Sequence, residues 1–197
     1  SIMYSLQIYG DFAGYSLMAI GVARMLGFHL INNFLRPYFS TSIGEFWRRW
    51  HISLSTWLKD YVYIPLGGNR RGRLRSYINL FVTFLVSGIW HGANLTFVFW
   101  GLLHAVFQAV EKFFNVSKRP AGRFILILRM TVTFLLVNFA WIFFRMPTFK
   151  GACEFIAKIF TFAPGQAFVP PVSDMVFIVC AILIVFIKEL TEEMRPQ

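Results

Sequence analysis

Charged side chains are scarce in this chain, since Asp, Glu, Lys and Arg make up only 14% of its 197 residues. A soluble domain of average composition carries roughly a quarter. Hydrophobic residues reach 57% and aromatic residues 19%, so the composition excludes an ordinary soluble domain and predicts an integral membrane protein. The net charge of +10 does not indicate nucleic acid as a partner, because the arginines cluster beside apolar runs, as expected near a membrane.

Cysteine and several catalytic motifs are also rare or missing. Cys153 and Cys180 lack metal-ligand spacing, so we infer no disulfide framework and no cysteine-based metal site. The sequence contains no Gly-x-Ser-x-Gly elbow and no His-Glu-x-x-His motif. It therefore predicts neither a hydrolase-type serine nucleophile nor a metal centre.

Long apolar runs, separated by short polar breaks, are the main feature that is present. They predict an all-α fold, a polytopic transmembrane helical bundle that includes amphipathic or re-entrant helices. We treat residues 1–197 as a single membrane-embedded region, with a motif-bearing core over 1–145 and C-terminal helices over 146–197. The predicted spans are 2–28, 77–114, 124–144 and 175–187, with a loop over 164–171.

The run 77–114 contains the stretch with the clearest chemical signal, Ser87 to Asn94. It is too long for one straight span, and Gly92 and Asn94 are weak helix formers, so we expect a break just after His91. An ionisable side chain at membrane depth is costly and is often functional. Gly88 and Gly92 lie four residues apart, which lets a helix or a substrate approach the backbone. The alternative is a packing notch whose histidine hydrogen-bonds a neighbouring helix.

A second informative stretch runs from Ser42 to Leu58. Ser42 and Glu45 have the spacing of a capping box, and the apolar positions that follow recur at helical spacing. They predict one amphipathic helix whose three tryptophans favour the membrane–water boundary. His51 falls on its apolar stripe, either as a functional group or as a satisfied histidine in an interfacial anchor. Glu45 can pair with Arg48 or Arg49 along the helix.

Three further features leave their roles open at this point. Asp11 lies inside the first apolar run, where it can orient a histidine, pair with an arginine or form a buried structural ion pair. His104 is predicted to be structural. The loop 69–75 carries four arginines, which favour the cytoplasmic side and can also attract anionic headgroups or an anionic donor.

Four blocks, in one order, resemble the membrane-bound O-acyltransferase family, and among its branches the one that O-acetylates alginate. The resemblance covers about residues 1–145, and the Pro-Leu-Gly-Gly-Asn-Arg block favours the alginate type over the teichoic acid type. Family members have further spans before this region, so the chain is expected to be the C-terminal part of a longer protein. The blocks are Gln7 to Ser16, Glu45 to Trp57, Tyr63 to Arg70 and Gly88 to Asn94.

The resemblance implies that His91 is catalytic and that His51 is the second motif histidine. A neutral imidazole is suited to remove the proton of an attacking hydroxyl, so we assign His91 as general base and His51 as a positioning group. Transfer is expected to be direct, without a bound cofactor, from an acyl thioester such as acetyl-CoA or acyl carrier protein on the cytoplasmic side. Residues expected to position substrate or stabilise the oxyanion are Asn94, Asp11, Arg48 and Trp90.

The acceptor that the resemblance implies is a hydroxyl of a cell-surface or secreted polysaccharide, and the acyl group is acetyl. It also implies a multi-pass protein of the bacterial cytoplasmic membrane and a periplasmic or extracellular acyltransferase partner. Two other classes remain open: a transporter or flippase subunit for an acyl or lipid-linked substrate, and a non-catalytic scaffold of an envelope complex.

Overall fold

A computed structural model describes residues 2–161 and 171–194, apart from the side chains of Lys118, Asp174, Phe177 and Met194. Regular structure in these residues is helical, with one isolated antiparallel bridge between Phe34 and Trp50. The all-α prediction is therefore confirmed over the described ranges. The predicted loop 164–171 lies outside them, apart from its last residue.

The α-helices differ widely in length, because two of the predicted elements are each divided by a break. A π-helical turn at Lys59–Tyr63 continues the third helix, and 3₁₀ turns occur at Pro37–Phe39 and Val116–Lys118. In chain order the helices are α1 (Ile2–Met25), α2 (Ile43–Arg49), α3 (Ile52–Leu58), α4 (Arg73–His91), α5 (Leu95–Phe113), α6 (Arg123–Arg145), α7 (Phe149–Thr161) and α8 (Val172–Met194).

Packing divides the chain into two compact units, Ser1–Phe155 and Ile156–Gln197. The motif-bearing part lies entirely in the first unit. The second unit contains the end of α7 and all of α8, which is longer than the predicted span 175–187.

The start of α2 follows the sequence prediction. Ser42 Oγ accepts a hydrogen bond from the backbone N–H of Glu45 at 3.0 Å. The Glu45 carboxylate in turn accepts from the backbone N–H of Thr41 at 2.8 Å and forms a 2.7 Å ion pair with Arg49. The capping signal and the intrahelical ion pair are therefore both present.

The predicted single helix over Ile43–Leu58 is wrong, because the chain leaves helical geometry at Trp50 and His51. His51 has a left-handed backbone, with φ 46° and ψ 53°. The preceding segment replaces the lost helical bonds: Leu35 N donates to Arg49 O at 2.9 Å, and Ile52 N donates to Asn33 O at 3.0 Å. A bridge to a distant segment therefore stabilises a break that the side-chain pattern does not reveal.

The break predicted after His91 is confirmed. α4 ends at His91, Gly92 adopts φ 151°, and Asn94 caps α5. A glycine fits this conformation because an L side chain rarely adopts it.

α4 and α5 then pack against each other with their backbones close together. A Cβ added at Gly88 would lie 2.6 Å from the carbonyl oxygen of Phe97. One added at Gly101 would overlap the carbonyl oxygen of Phe84. Two glycines, one on each helix, thus permit the close approach that the small-residue spacing predicts.

Aromatic rings fill the core of the first unit. Trp100 stacks on Trp141 with ring centroids 5.9 Å apart, and Trp47 lies 5.7 Å from Trp100. His104 is fully buried among these rings, and its Nδ1 accepts a hydrogen bond from Trp47 Nε1 at 3.3 Å. His104 thus occupies a core position, as expected for a structural histidine.

One described helix, Arg123–Arg145, is both long and apolar enough to cross a membrane, with a mean hydropathy of 2.0 over its best window. The other predicted spans form helices, but none of the other described helices meets that test. The multi-pass arrangement therefore stays a prediction.

Candidate active site

His91 ends α4 against a wall of aromatic rings. Its imidazole centroid lies 4.9 Å from that of Trp90, 5.1 Å from that of Trp100 and 5.1 Å from that of Phe144. The side chain is half-buried. Neither ring nitrogen forms a hydrogen bond with any residue that the structure describes, so both are available to a substrate.

His51 reaches the same aromatic wall from the break between α2 and α3. Its ring lies edge-to-face on Phe12, with centroids 4.7 Å apart, and its centroid is 6.4 Å from that of Trp90. Trp90 therefore contacts both imidazoles. Two breaks that are distant in sequence bring the two predicted histidines to one tryptophan.

Asn33 is a polar partner of His51 that the sequence reading missed. Its Oδ1 lies 3.3 Å from His51 Nδ1 and accepts from the backbone N–H of Ser53 at 3.1 Å and from Ser53 Oγ at 3.0 Å. No local motif marks Asn33, since the bridge between Phe34 and Trp50 brings it to His51.

Asp11 and Arg48, two of the other predicted site residues, are both exposed. The side chain of Asp11, on α1, forms no hydrogen bond or ion pair with a described residue and so contacts neither histidine in the described part of the chain. Its neighbour Phe12 contacts His51 instead, because the two residues point to different faces of α1. Arg48 is also exposed, on α2, and lines the cavity described below.

The Asn94 side chain forms two structural hydrogen bonds, while its role as an oxyanion donor stays a prediction. Its Oδ1 accepts from the backbone N–H of Thr96 at 3.2 Å, and its Nδ2 donates to the carbonyl oxygen of Pro147 at 2.7 Å. The side chain thus caps α5 and ties the turn to the segment after α6.

A cavity of about 1090 Å³ lies between the α2–α3 segment and the α4–α5 pair. Its lining includes Ile52, which follows His51 in sequence, and Ser87, which lies one helical turn before His91, but neither histidine itself. The exposed charged side chains that line it are all cationic, whereas the half-buried Glu111 is anionic. These cations are Arg48, Lys59, Arg73 and Lys112.

Among the described residues, no group of three or more His, Cys, Asp or Glu side chains is arranged to hold a metal ion. The chemistry that this geometry supports is proton transfer and hydrogen bonding by two imidazoles in a largely aromatic pocket.

Comparison with known proteins assigns the family. The model of the membrane-bound O-acyltransferase family matches residues 1–146. The chain belongs to this family. Both histidines, Trp90 and every residue that lines the cavity fall inside the matched region.

Relatives in this family act on several envelope polymers, judging by their names. "Probable alginate O-acetylase AlgI" of Pseudomonas syringae pv. tomato is 48% identical over 166 residues, which are 84% of this chain and 32% of that protein. The "Peptidoglycan O-acetyltransferase" of Helicobacter pylori is 46% identical over 156 residues, 78% of this chain and 29% of that protein. The "Teichoic acid D-alanyltransferase" of Bacillus subtilis is 34% identical over 153 residues, 72% of this chain and 39% of that protein. The chain spans about a third of the length of these relatives.

The Pro-Leu-Gly-Gly-Asn-Arg block that carries part of the family resemblance reaches the cavity through Asn69. Asn69 Oδ1 accepts from Tyr63 OH at 2.8 Å, from Ser76 Oγ at 2.7 Å and from Lys112 Nζ at 2.8 Å. Asn79 Nδ2 donates to the carbonyl oxygen of Gly68 at 3.0 Å. These bonds hold the block against α4 and α5 and fix the cationic end of the cavity.

Proposed function

We propose that the complete gene product is a multi-pass O-acyltransferase of the bacterial cytoplasmic membrane. In this proposal it moves an acyl group, acetyl in the first instance, from a thioester toward hydroxyls of a cell-surface or secreted polysaccharide. The observation that carries the proposal is the meeting of two chain breaks at Trp90, which places His51 and His91 against one ring. Relatives named as alginate and peptidoglycan O-acetylating proteins support it.

The proposed reaction needs no covalent enzyme intermediate. The acceptor oxygen attacks the thioester carbonyl carbon while His91 removes the hydroxyl proton. The tetrahedral oxyanion then collapses, the C–S bond breaks, and the thiol leaves with the proton from the imidazolium. General-base assistance of this kind contributes typically ~10²–10⁴ in rate.

The oxyanion needs hydrogen-bond donors that are in place before the reaction. The backbone N–H groups of Ala93 and Asn94 lie in the turn after His91 and form no hydrogen bond with a described residue. We propose these two groups as the donors, in place of the Asn94 side chain.

The cavity is the proposed route of the thioester from the cytoplasmic side. Acetyl-CoA and the phosphopantetheine of acyl carrier protein both carry phosphate, and cationic side chains form strong charge-assisted hydrogen bonds with phosphate. Arg48, Lys59, Arg73 and Lys112 supply such groups along the cavity. A periplasmic or extracellular partner would then complete transfer to the polymer.

The first prediction tests the two histidines in cells that produce the complete gene product. We expect His91→Ala to lower ester-linked acyl groups on the envelope polysaccharide by at least ~10²-fold, the lower end of a general-base contribution. His51→Ala should also lower them. The measurement is ester content per polysaccharide, compared at equal membrane abundance of each variant.

His29→Ala is the matched control, because His29 is exposed and forms no hydrogen bond with a described residue. It should leave ester content unchanged. Normal esterification in His91→Ala would overturn the assignment of the base. Loss of polysaccharide export, with esters intact on what is exported, would instead favour the transporter class.

A further inference from the structure

We infer that Asn33 is a positioning residue that holds His51 as the Nδ1–H tautomer and leaves its Nε2 free to accept a hydrogen bond from a second hydroxyl of the acceptor, beside the hydroxyl whose proton His91 removes. The second half of this inference rests on the proposed function. The first half concerns the ring alone and follows from the donors and acceptors around Asn33.

The orientation of the Asn33 amide is fixed by a backbone group. The N–H of Ser53 lies 3.1 Å from the atom assigned as Oδ1. A backbone N–H can only donate, so the atom that it meets must be the amide oxygen. On the other side, Nδ2 lies 3.4 Å from Ser16 Oγ, which can accept.

The tautomer of His51 follows from that orientation. An amide oxygen can only accept, so the His51 Nδ1 atom 3.3 Å away must carry a proton. Ser53 Oγ also lies 3.4 Å from this nitrogen, but the Ser53 hydroxyl already donates to Asn33 Oδ1 at 3.0 Å. The remaining nitrogen, Nε2, therefore carries the lone pair, and it has no partner among the described residues.

This arrangement distinguishes His51 from His91. An imidazole whose second nitrogen is held by a third group is a recurrent feature of active sites. His91 has only ring contacts within the described part of the chain, so no group in that part selects its tautomer.

The lone pair on Nε2 also selects which reactant His51 can bind. The carbonyl oxygen and the sulfur of a thioester only accept hydrogen bonds, whereas a hydroxyl donates one. Because the attacking hydroxyl gives its one proton to His91, we place His51 Nε2 beside a second hydroxyl of the acceptor and not beside the thioester.

The backbone makes this arrangement rigid. The carbonyl oxygen of Asn33 accepts from the N–H of Ile52 at 3.0 Å, and the adjacent Phe34 bridges Trp50. Asn33 therefore bonds to the helix break at two points: its backbone carbonyl binds Ile52 and its side chain binds His51. A residue that only stabilised the helix break would form the same contacts. The test therefore needs a readout that a change in stability alone does not alter.

Two substitutions separate the roles. Asn33→Asp keeps an acceptor oxygen beside Nδ1, while Asn33→Leu removes it at similar size. The carboxylate in Asn33→Asp would also stabilise the imidazolium, so the acidic limb of the pH–activity profile should move to higher pH. Asn32→Asp and Asn32→Leu are the matched controls, because Asn32 is exposed and makes no hydrogen bond with a described residue.

The direct readout is ¹⁵N NMR of histidine-labelled complete gene product in lipid nanodiscs, with His51 assigned by difference against His51→Gln. We expect Nδ1–H in the wild type and in Asn33→Asp, and a mixture or the Nε2–H form in Asn33→Leu. An Nε2–H ring in the wild type would overturn the inference, and so would an unchanged ring in Asn33→Leu. If Asn33→Leu does not accumulate, the wild-type and Asn33→Asp spectra still decide the tautomer.

The second readout is ester content on the polysaccharide at equal membrane abundance. Asn33→Leu should lower it by at least ~10-fold, since misplacing a reactant can cost ~10²-fold in rate, and Asn33→Asp should restore most of it at high pH. Equal activity in both variants, at all pH values, would overturn the positioning role. A wild-type protein that forms no ester would refute the proposed function, while the NMR result would still decide what Asn33 does to His51.

Discussion

At the residue scale, Asn94 is a predicted site residue whose side chain forms two structural hydrogen bonds. Its side chain caps α5 through Thr96 and donates to the carbonyl oxygen of Pro147. Removing an N-cap costs about 1 kcal/mol, and losing an ordinary hydrogen bond costs about as much. We therefore predict that Asn94→Ala lowers the free energy of unfolding by about 2 kcal/mol, measured by denaturant titration in mild detergent, without lowering ester formation per folded protein.

Asn94→Asp supplies the matched comparison for this prediction. It keeps an acceptor for the N–H of Thr96 but cannot donate to Pro147, so it should lose about half as much stability. If Asn94→Ala instead abolished ester formation at unchanged stability, the side chain would be acting in the chemistry and the structural assignment would be wrong.

Residues also differ in whether the sequence alone reveals that they belong to the site. His51 and His91 stand out because an imidazole inside an apolar stretch needs a reason to be there. Asn33 does not stand out, since its partner lies 18 residues away and meets it only through the bridge at Trp50. The position of Asp11 is hard to predict for a related reason: α1 is apolar on most sides, so its sequence pattern does not show which face turns toward the site.

At the scale of elements, the close contact between α4 and α5 requires a residue without a side chain at Gly101. A Cβ there would overlap the carbonyl oxygen of Phe84, a backbone atom that cannot move alone. Overpacking of this kind costs typically about 1–3 kcal/mol. We predict that Gly101→Ala lowers the free energy of unfolding in detergent by an amount in this range and reduces membrane abundance.

Gly44→Ala is the control for this helix contact. A Cβ at Gly44 would lie 3.1 Å from the amide nitrogen of Gln108 and 3.7 Å from Arg48 Nη1, and both are ends of flexible side chains that can rotate away. Alanine is also the better helix former by about 1 kcal/mol, so this variant should be as stable as the wild type or slightly more stable. Equal destabilisation of both variants would show that the close α4–α5 contact at Gly101 does not cause the loss of stability.

Helix breaks differ in how well a sequence predicts them. The sequence predicts the break after His91, because Gly92 and Asn94 are poor helix formers and Asn94 is a good N-cap. The one at Trp50 and His51 has no such marker. The apolar stripe continues through it from Trp47 to Leu54, and the bonds that stabilise the break come from residues 33–35.

At the scale of the whole molecule, the family and the helical class could be read from the sequence, but the cavity could not. Short blocks in a fixed order identify a family because each block is local. The cavity is lined jointly by α2, α3, α4, α5 and the loop around Asn69. Its shape depends on how these elements pack, and no single stretch of sequence encodes that packing.

If the cavity is the route of the thioester to the histidines, narrowing it should lower ester formation. Thr56 lines it from α3 and is exposed, and its side chain forms no hydrogen bond with a described residue. An indole there would narrow the cavity without disturbing the core, and surface substitutions of this kind usually change stability by less than about 0.5 kcal/mol. We expect Thr56→Trp to lower polysaccharide ester content more than ~10-fold, which would remove over 1.4 kcal/mol of effective catalysis.

The control is Leu135→Trp, which adds an indole on α6 at a side chain that is 54% exposed and outside the cavity lining. It should leave ester content unchanged, and Thr56→Ser should do the same, because it keeps the cavity open. If Thr56→Trp esterified polysaccharide normally at equal membrane abundance, the thioester would have to reach the histidines by another path. The cationic side chains around the cavity would then have a role other than guiding the donor. The roles of His51 and His91 would still be decided by the His51→Ala and His91→Ala variants.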